Sequence, residues 1–163
     1  MKAVADARAL AALGDAVASS PIVDRNQVAS DLLWEALRGV SWVGFYSKAA
    51  TRDEMILVAC RDKPACSPIG LHGICGLGWR ERRPVVVRDV GVLGPHYIAC
   101  DPRDRSEVVV PLLGADGTCS GVLDVDSHEA GAFDHEDAWA LGAYLVASGL
   151  SRPMEAARGV IVI

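Results

Sequence analysis

The strongest constraint on the fold is a change in the spacing of apolar residues along the chain. Apolar residues recur at helical spacing over residues 3–18 and again from Val28 to Leu37, after a predicted N-cap at Asp24. The spacing then becomes two in VSWVGFYS (40–47), and EMILVAC (54–60) is a second strand. Further strands are predicted for SEVVVPLL and CSGVLDVDS, which flank the tight-turn sequence GADGT. Strands between terminal helices predict an α+β fold.

In the predicted arrangement, N-terminal helices at about 3–39 and a C-terminal helix at about 134–152, capped by Asp134, pack on one face of an antiparallel sheet. A short helix is predicted at 72–83, and PVVVRDV begins a strand at Pro84. Long loops at 61–75 and 91–105 would cover the other face, and loops of this length usually bind ligands. The tail GVIVI is either an edge strand or frayed. The length of 163 residues predicts one domain, 1–163.

Charge and composition exclude several classes of protein. The formal net charge of −5 argues against a general nucleic-acid or anionic-membrane binder, because both need a basic face. The sequence has no apolar stretch of the roughly 18 residues needed to span a bilayer. Charged residues interrupt the first apolar segment, so we expect no export signal and a cytoplasmic protein.

The five cysteines indicate packing or redox chemistry. An odd count without a CxxC pair favours neither a fixed disulfide framework nor a zinc site. Cys60 and Cys119 lie in apolar strands and are predicted to be structural. Cys100 lies in a polar loop with Arg103 and Arg105 close in sequence, and nearby cations favour the nucleophilic thiolate. Cys100 is therefore either a nucleophile or an inert loop cysteine.

Two aspartates stand out in the strand VLDVDS. Asp124 and Asp126 are two residues apart, so they point to the same face of the strand, where repulsion and burial should raise the pKa of at least one. Glu107 opens the neighbouring strand as a third carboxylate. These groups either line a pocket or form a solvated strand end, and no histidine or second acidic pair supports a metal site. Trp42 and Tyr46 share one strand face and are either a pocket wall or core residues.

The order of several short motifs resembles one known family. WVGFY (42–46), KPAC (63–66), GICG (73–76), HYIACD (96–101), SEVVVP (106–111) and GVLDVDS (121–127) together look like the free methionine-(R)-sulfoxide reductases, which are built on a GAF domain. The spacings from Cys100 to Glu107 and from Asp124 to Asp126 make the combination fairly specific.

The resemblance implies a complete reaction scheme. Cys100 would attack the sulfoxide, and Cys66, or else Cys75, would resolve the resulting sulfenic acid as a disulfide. Asp124, Asp126 and Glu107 would bind the substrate ammonium group, with the aspartates supplying a proton. The resemblance also implies no bound cofactor, a dithiol reductant such as thioredoxin, and a homodimer, as is common in the family.

The sequence departs from the family pattern in the two long loops. CSPIGLHGIC is one residue shorter than usual, VACRDKPAC is altered, and Tyr97 is an extra residue before Cys100. His96 could tune Cys100 or bind a substrate carboxylate. Two rival functions therefore remain: a relative that acts on another small polar metabolite, and a non-catalytic GAF sensor, which is expected to lack clustered oxidisable cysteines and to accompany an output domain.

Overall fold

The computed structural model describes residues 2–97 and 99–163, with the side chain of His96 outside the described part. Four helices lie within these residues: α1 (Ala7–Ala18), α2 (Arg25–Ala36), α3 (Ile74–Glu81) and α4 (His135–Ala147). There are seven strands: β1 (Trp42–Lys48), β2 (Glu54–Arg61), β3 (Ile69–Gly70), β4 (Val85–Val87), β5 (Ser106–Leu113), β6 (Cys119–Ser127) and β7 (Ile161–Val162). None of the described helices has the length and apolarity needed to cross a membrane.

The strands form a single sheet in the order β3-β2-β1-β6-β5-β4-β7. All neighbouring strands are antiparallel except β4 and β7, which are parallel. The tail, which the sequence left open, is therefore an edge strand, and the sheet is mixed rather than purely antiparallel. The predicted α+β class and the tight hairpin are confirmed, and Gly117 of that hairpin adopts φ +78°, which favours glycine.

Strict alternation along the strands separates the two faces of the sheet. One face carries Val43, Phe45, Val108, Leu123 and Val125, which pack with α1, α2 and α4 in the main core. The other face carries a smaller apolar cluster that includes Trp42, Tyr46, Val109 and Val122. This second face is covered by α3 as well as by the long loops. Helices and loops thus lie on the predicted sides, with α3 on the loop side.

Several helix boundaries differ from the prediction. α1 begins at Ala7 rather than residue 3, because the Asp6 side chain accepts hydrogen bonds from Arg8 N and Ala9 N. Asp24 stands at the N-cap position of α2, as predicted, but its side chain makes no capping hydrogen bond, since a 3-10 turn over Ile22–Asp24 leads into the helix and holds Asp24 at φ −99° and ψ −11°. Asp134 does cap α4, in a reciprocal capping box with Asp137. α4 ends at Ala147, before the predicted limit.

Candidate active site

A cavity lies between the second face of the sheet and the two long loops. Its empty volume is about 660 Å³, including space open to solvent. β1, β5 and β6 form its floor, α3 forms one wall, and the loops around Lys63 and Cys100 form its mouth. Cys100, Asp124 and Asp126 all line this one cavity. The sequence had placed these residues together only by analogy, and the fold brings them together.

Three carboxylates occupy the floor because of the register between β5 and β6. Glu107 is paired with Asp126 across the two strands, and Asp124 projects from β6 on the same face. Oxygen atoms of all three groups lie within 4.8 Å of one another. Glu107 and Asp124 are buried, whereas Asp126 is half-buried. Among the described residues, Glu107 Oε1 and Asp124 Oδ1 have no hydrogen-bond partner, so the cluster offers free acceptors to a ligand.

Burial raises the pKa of every carboxyl group in this cluster. The pKa of Asp124 rises to about 7, chiefly because burial disfavours its charged form. Burial, followed by repulsion from Asp124, also raises the pKa of Glu107 and of Asp126 well above the ordinary values. The sequence predicted this direction for at least one of Asp124 and Asp126, from their spacing and their apolar neighbours. A cluster of this kind can release a proton near neutral pH and can hold a cation once ionised.

The described cysteines occupy three different environments, of which the half-buried free thiols of Cys60 and Cys119 are one. Cys66 and Cys100 form a disulfide across the mouth of the cavity, with Cα atoms 5.7 Å apart. Cys75, in the first turn of α3, is buried and its Sγ lies 3.3 Å from Asp124 Oδ2. Burial, reinforced by the negative charge of Asp124, raises the pKa of the Cys75 thiol well above its ordinary value. Cys75 is therefore a protonated thiol that can donate to Asp124, whereas Cys66 is the partner in contact with Cys100.

The arginines near Cys100 in sequence form ion pairs with carboxylates, and their effect on the Cys100 thiol stays a prediction. Arg103 Nη2 lies 2.7 Å from Asp101 Oδ2, and Arg105 Nη2 lies 3.0 Å from Asp89 Oδ2. Both positive charges are thus paired with carboxylates, and the pKa of Asp101 is held well below its usual range by Arg103 and Lys63. The predicted contribution of His96 concerns a side chain outside the described part of the structure.

Sequence reasoning missed three residues that line the cavity: Lys63, Tyr97 and Asp104. Asp104 is buried and accepts a hydrogen bond from Ser41 Oγ at 2.9 Å. Burial raises its pKa. The closely spaced charges of DPRDRSE indicated that this segment could contribute to a site, but only the fold shows that the Asp104 carboxylate in it is buried. Tyr97 was noticed only as an extra residue.

Known proteins resemble this chain in both sequence and fold. A GAF domain family model matches residues 8–147. Free methionine-R-sulfoxide reductase of Saccharomyces cerevisiae is 36% identical over 115 residues, which is 67% of this chain and 63% of the yeast protein. The Neisseria meningitidis free methionine-R-sulfoxide reductase, solved with its substrate, superposes with a TM-score of 0.80 at 35% identity, covering 91% of this chain and 92% of that chain.

This chain belongs to the free methionine-R-sulfoxide reductase family of GAF domains. Another similar structure is a putative GAF sensor from Burkholderia vietnamiensis, with 38% identity and a TM-score of 0.78 over 89% of this chain and 92% of that one. Sequence and fold therefore connect this member of the reductase family with a protein described as a sensor as well. The chemistry of its own cavity has to separate the two functions.

The carboxylate floor of this reductase-family member also offers the oxygen ligands that hard metal cations prefer. Oxygen ligands from Glu107, Asp124 and Asp126 suit Mg²⁺ or Ca²⁺ in type. Their raised pKa values mean that protons compete with a metal near neutral pH, which favours an ammonium ligand that can share hydrogen bonds with a partly protonated cluster. The absence of a metal requirement stays a prediction.

Proposed function

We propose that this protein reduces free methionine (R)-sulfoxide to methionine at the expense of a dithiol. The observation that carries the proposal is the Cys66–Cys100 disulfide at the mouth of a cavity whose floor is three carboxylates with raised pKa values. A cavity that joins an oxidisable cysteine pair to an acidic floor fits a small substrate that carries an ammonium group and is itself an oxidant. A sulfoxide amino acid has both properties.

The substrate would bind with its ammonium group on the carboxylate floor. Glu107 Oε1, which has no partner among the described residues, is available to accept one of its hydrogen bonds, and this leaves Asp124 free to face the sulfoxide oxygen. The indole of Trp42 lines the same cavity, so it offers an apolar surface to the S-methyl group and a π face to a cation. In this arrangement the sulfoxide sulfur is directed toward the mouth, where Cys100 lies.

The reaction would proceed in three balanced steps. The Cys100 thiolate attacks the sulfoxide sulfur while Asp124, with its pKa of about 7, gives a proton to the sulfoxide oxygen. Oxygen passes to Cys100 as a sulfenic acid, and the substrate leaves as the thioether methionine. The Cys66 thiol then displaces the sulfenic oxygen as water and forms the Cys66–Cys100 disulfide. An external dithiol reduces the disulfide and is itself oxidised.

The partners of this cycle follow from its chemistry. The disulfide lies between two exposed cysteines, so a protein dithiol of the thioredoxin type can reach it. We propose thioredoxin or a similar dithiol as the reductant and a reducing cytoplasm as the compartment. A homodimer, implied by the family resemblance, is likewise a proposal, and size measurement in solution tests it.

The direct test is dithiol-dependent loss of free methionine (R)-sulfoxide with appearance of methionine. The (S) epimer and a peptide-bound sulfoxide serve as matched controls, and both should be consumed far more slowly. The sensor alternative, suggested by the similar Burkholderia protein, predicts ligand binding without turnover. Turnover of a different small polar sulfoxide, with none of the methionine compound, would instead support a relative with altered loops.

A further inference from the structure

The two aromatic side chains on the cavity floor use their polar atoms on the loop that carries Cys66. Trp42 Nε1 donates a hydrogen bond to the carbonyl oxygen of Lys63 at 2.8 Å. Tyr46 OH donates one to the carbonyl oxygen of Cys66, also at 2.8 Å. Both side chains belong to buried residues of β1, with relative exposures of 5% and 2%. The loop segment from Lys63 to Cys66 is therefore bound to the sheet at each of its ends.

Gly44 makes this arrangement possible. A Cβ atom at Gly44 would overlap the indole ring of Trp42, so the ring lies across the strand where glycine leaves room. The ring is thereby brought next to Tyr46, with centroids 6.0 Å apart and planes tilted by 37°. The spacing W-x-G-x-Y thus aims two hydrogen-bond donors from one strand at one loop.

The same loop segment is also joined to the loop that carries Cys100. Lys63 Nζ lies 3.0 Å from Asp101 Oδ2, and Asp101 is the residue after Cys100. This ion pair is exposed on its lysine side, and such pairs contribute little. The two aromatic donors are the stronger attachment, because they belong to buried side chains of the sheet and their hydrogen bonds are partly shielded from water.

We propose that Trp42 and Tyr46 are positioning residues for the resolving thiol. By binding the Lys63 and Cys66 carbonyls they hold Cys66 opposite Cys100, so that the sulfenic acid is captured before it reacts elsewhere. The proposal rests on the proposed function for its place in the cycle. The capture itself is a property of the two cysteines and the loop, and it can be measured without any sulfoxide.

Hydrogen peroxide separates the capture step from sulfoxide chemistry. The Cys100 thiolate takes one oxygen from peroxide and releases hydroxide, and the Cys66 thiol then displaces the sulfenic oxygen as water to close the disulfide. Tyr46→Phe keeps the ring and removes only the donor to the Cys66 carbonyl. We expect closure to become about five-fold slower, which corresponds to the loss of about 1 kcal/mol, the typical net contribution of a hydrogen bond.

Tyr144→Phe is the matched control. Tyr144 OH donates to the carbonyl oxygen of Ala29 at 3.1 Å, and Tyr144 is also fully buried, but it lies in the helix-side core. This variant loses the same kind of bond without touching the loop. A second variant, Trp42→Phe, removes the other donor while keeping an aromatic ring, and it should slow closure in the same way.

The reduced proteins are mixed rapidly with excess peroxide, with and without a sulfenic-acid trap, and the reaction is quenched with an alkylating reagent. Mass spectrometry of the Cys66 and Cys100 peptides then measures the thiol, the trapped sulfenic acid and the disulfide. Tyr46→Phe should oxidise Cys100 at the wild-type rate, accumulate trapped sulfenic acid and close slowly, with Tyr144→Phe matching wild type. Closure of Tyr46→Phe and Trp42→Phe at the wild-type rate, or equal slowing in Tyr144→Phe, would overturn the proposal. Failure of the wild type to reduce methionine sulfoxide would overturn the proposed function and leave these closure rates interpretable.

Discussion

Replacement of Asp124 by asparagine gives the most quantitative test of the acidic floor. Burial raises the pKa of this carboxyl group from an ordinary value of 3.8 to about 7. The folded protein therefore binds the proton more tightly than the unfolded chain does. The stability that comes from this preference is fully present below about pH 4 and is lost as the pH rises through about 7. Asparagine does not titrate, so Asp124→Asn should lose the Asp124 part of this pH dependence, while Glu107 and Asp126 still titrate.

The magnitude follows from the two pKa values of Asp124. With 3.8 for the unfolded chain and about 7 for the folded protein, ionisation destabilises the wild type by about 2 kcal/mol at about pH 5 and about 4 kcal/mol at about pH 8. The free energy of unfolding of Asp124→Asn should therefore rise relative to wild type by about 2 kcal/mol over this range. In a domain of this size, the change corresponds to about 4 to 8 °C in melting temperature.

The assay is thermal or denaturant unfolding of both oxidised proteins across the pH range. Asp116→Asn is the matched control. Thr118 hydrogen bonds lower the pKa of the exposed Asp116 carboxyl, which is thus ionised in both folded and unfolded chains above about pH 5. Its curve should run parallel to that of the wild type. Parallel curves for Asp124→Asn and wild type would refute the buried-acid description of the floor.

Three further predictions concern the cysteines, the altered loop and metal dependence. Cys66→Ser should lower dithiol-supported turnover at least about ten-fold and accumulate the Cys100 sulfenic acid, whereas Cys75→Ser, which removes a protonated buried thiol, should still close the disulfide. Mass spectrometry of disulfide closure checks this, and an equal loss of closure in both variants would contradict the assignment of Cys66. Tyr97→Ala should raise the KM for substrate several-fold, because the Tyr97 side chain lines the cavity and removing it admits water to Glu107. An unchanged KM would show that the Tyr97 side chain takes no part in substrate recognition. Prolonged treatment with a chelator should leave turnover unchanged if the carboxylates bind ammonium, and loss of activity restored by a divalent cation would contradict that role.

The carboxylate floor could be predicted from the sequence because it depends on local rules. Side chains two residues apart on a strand share a face, so Asp124 and Asp126 had to project together. The antiparallel pairing of β5 and β6 places Glu107 opposite Asp126, but the turn alone does not determine this pairing, because an irregularity between Leu112 and Leu113 shifts the register by one residue. The same alternation put Trp42 and Tyr46 on one face. The two same-strand pairs need only the period of the strand, whereas the position of Glu107 also needs the register shift.

The rest of the site depends on contacts between distant segments, which the periodicity of apolar residues does not encode. Tyr46 donates to a carbonyl 20 residues away, and Lys63 pairs with an aspartate 38 residues away. The ion pairs of Arg103 and Arg105 could not be predicted for the same reason, since nearness in sequence says little about the direction of a long side chain in a loop. The tail was undecidable because its partner, β4, precedes it by more than 70 residues.

The most direct test of the central claim compares Cys100→Ser with Cys119→Ser in the reduction of free methionine (R)-sulfoxide by a dithiol. Cys119 Sγ donates to the carbonyl oxygen of Gly121 at 3.2 Å and does not line the cavity, so Cys119→Ser controls for the loss of a half-buried thiol. The account predicts wild-type turnover in Cys119→Ser and none above background in Cys100→Ser, with substrate binding retained in both. Turnover by Cys100→Ser at the wild-type rate would contradict it.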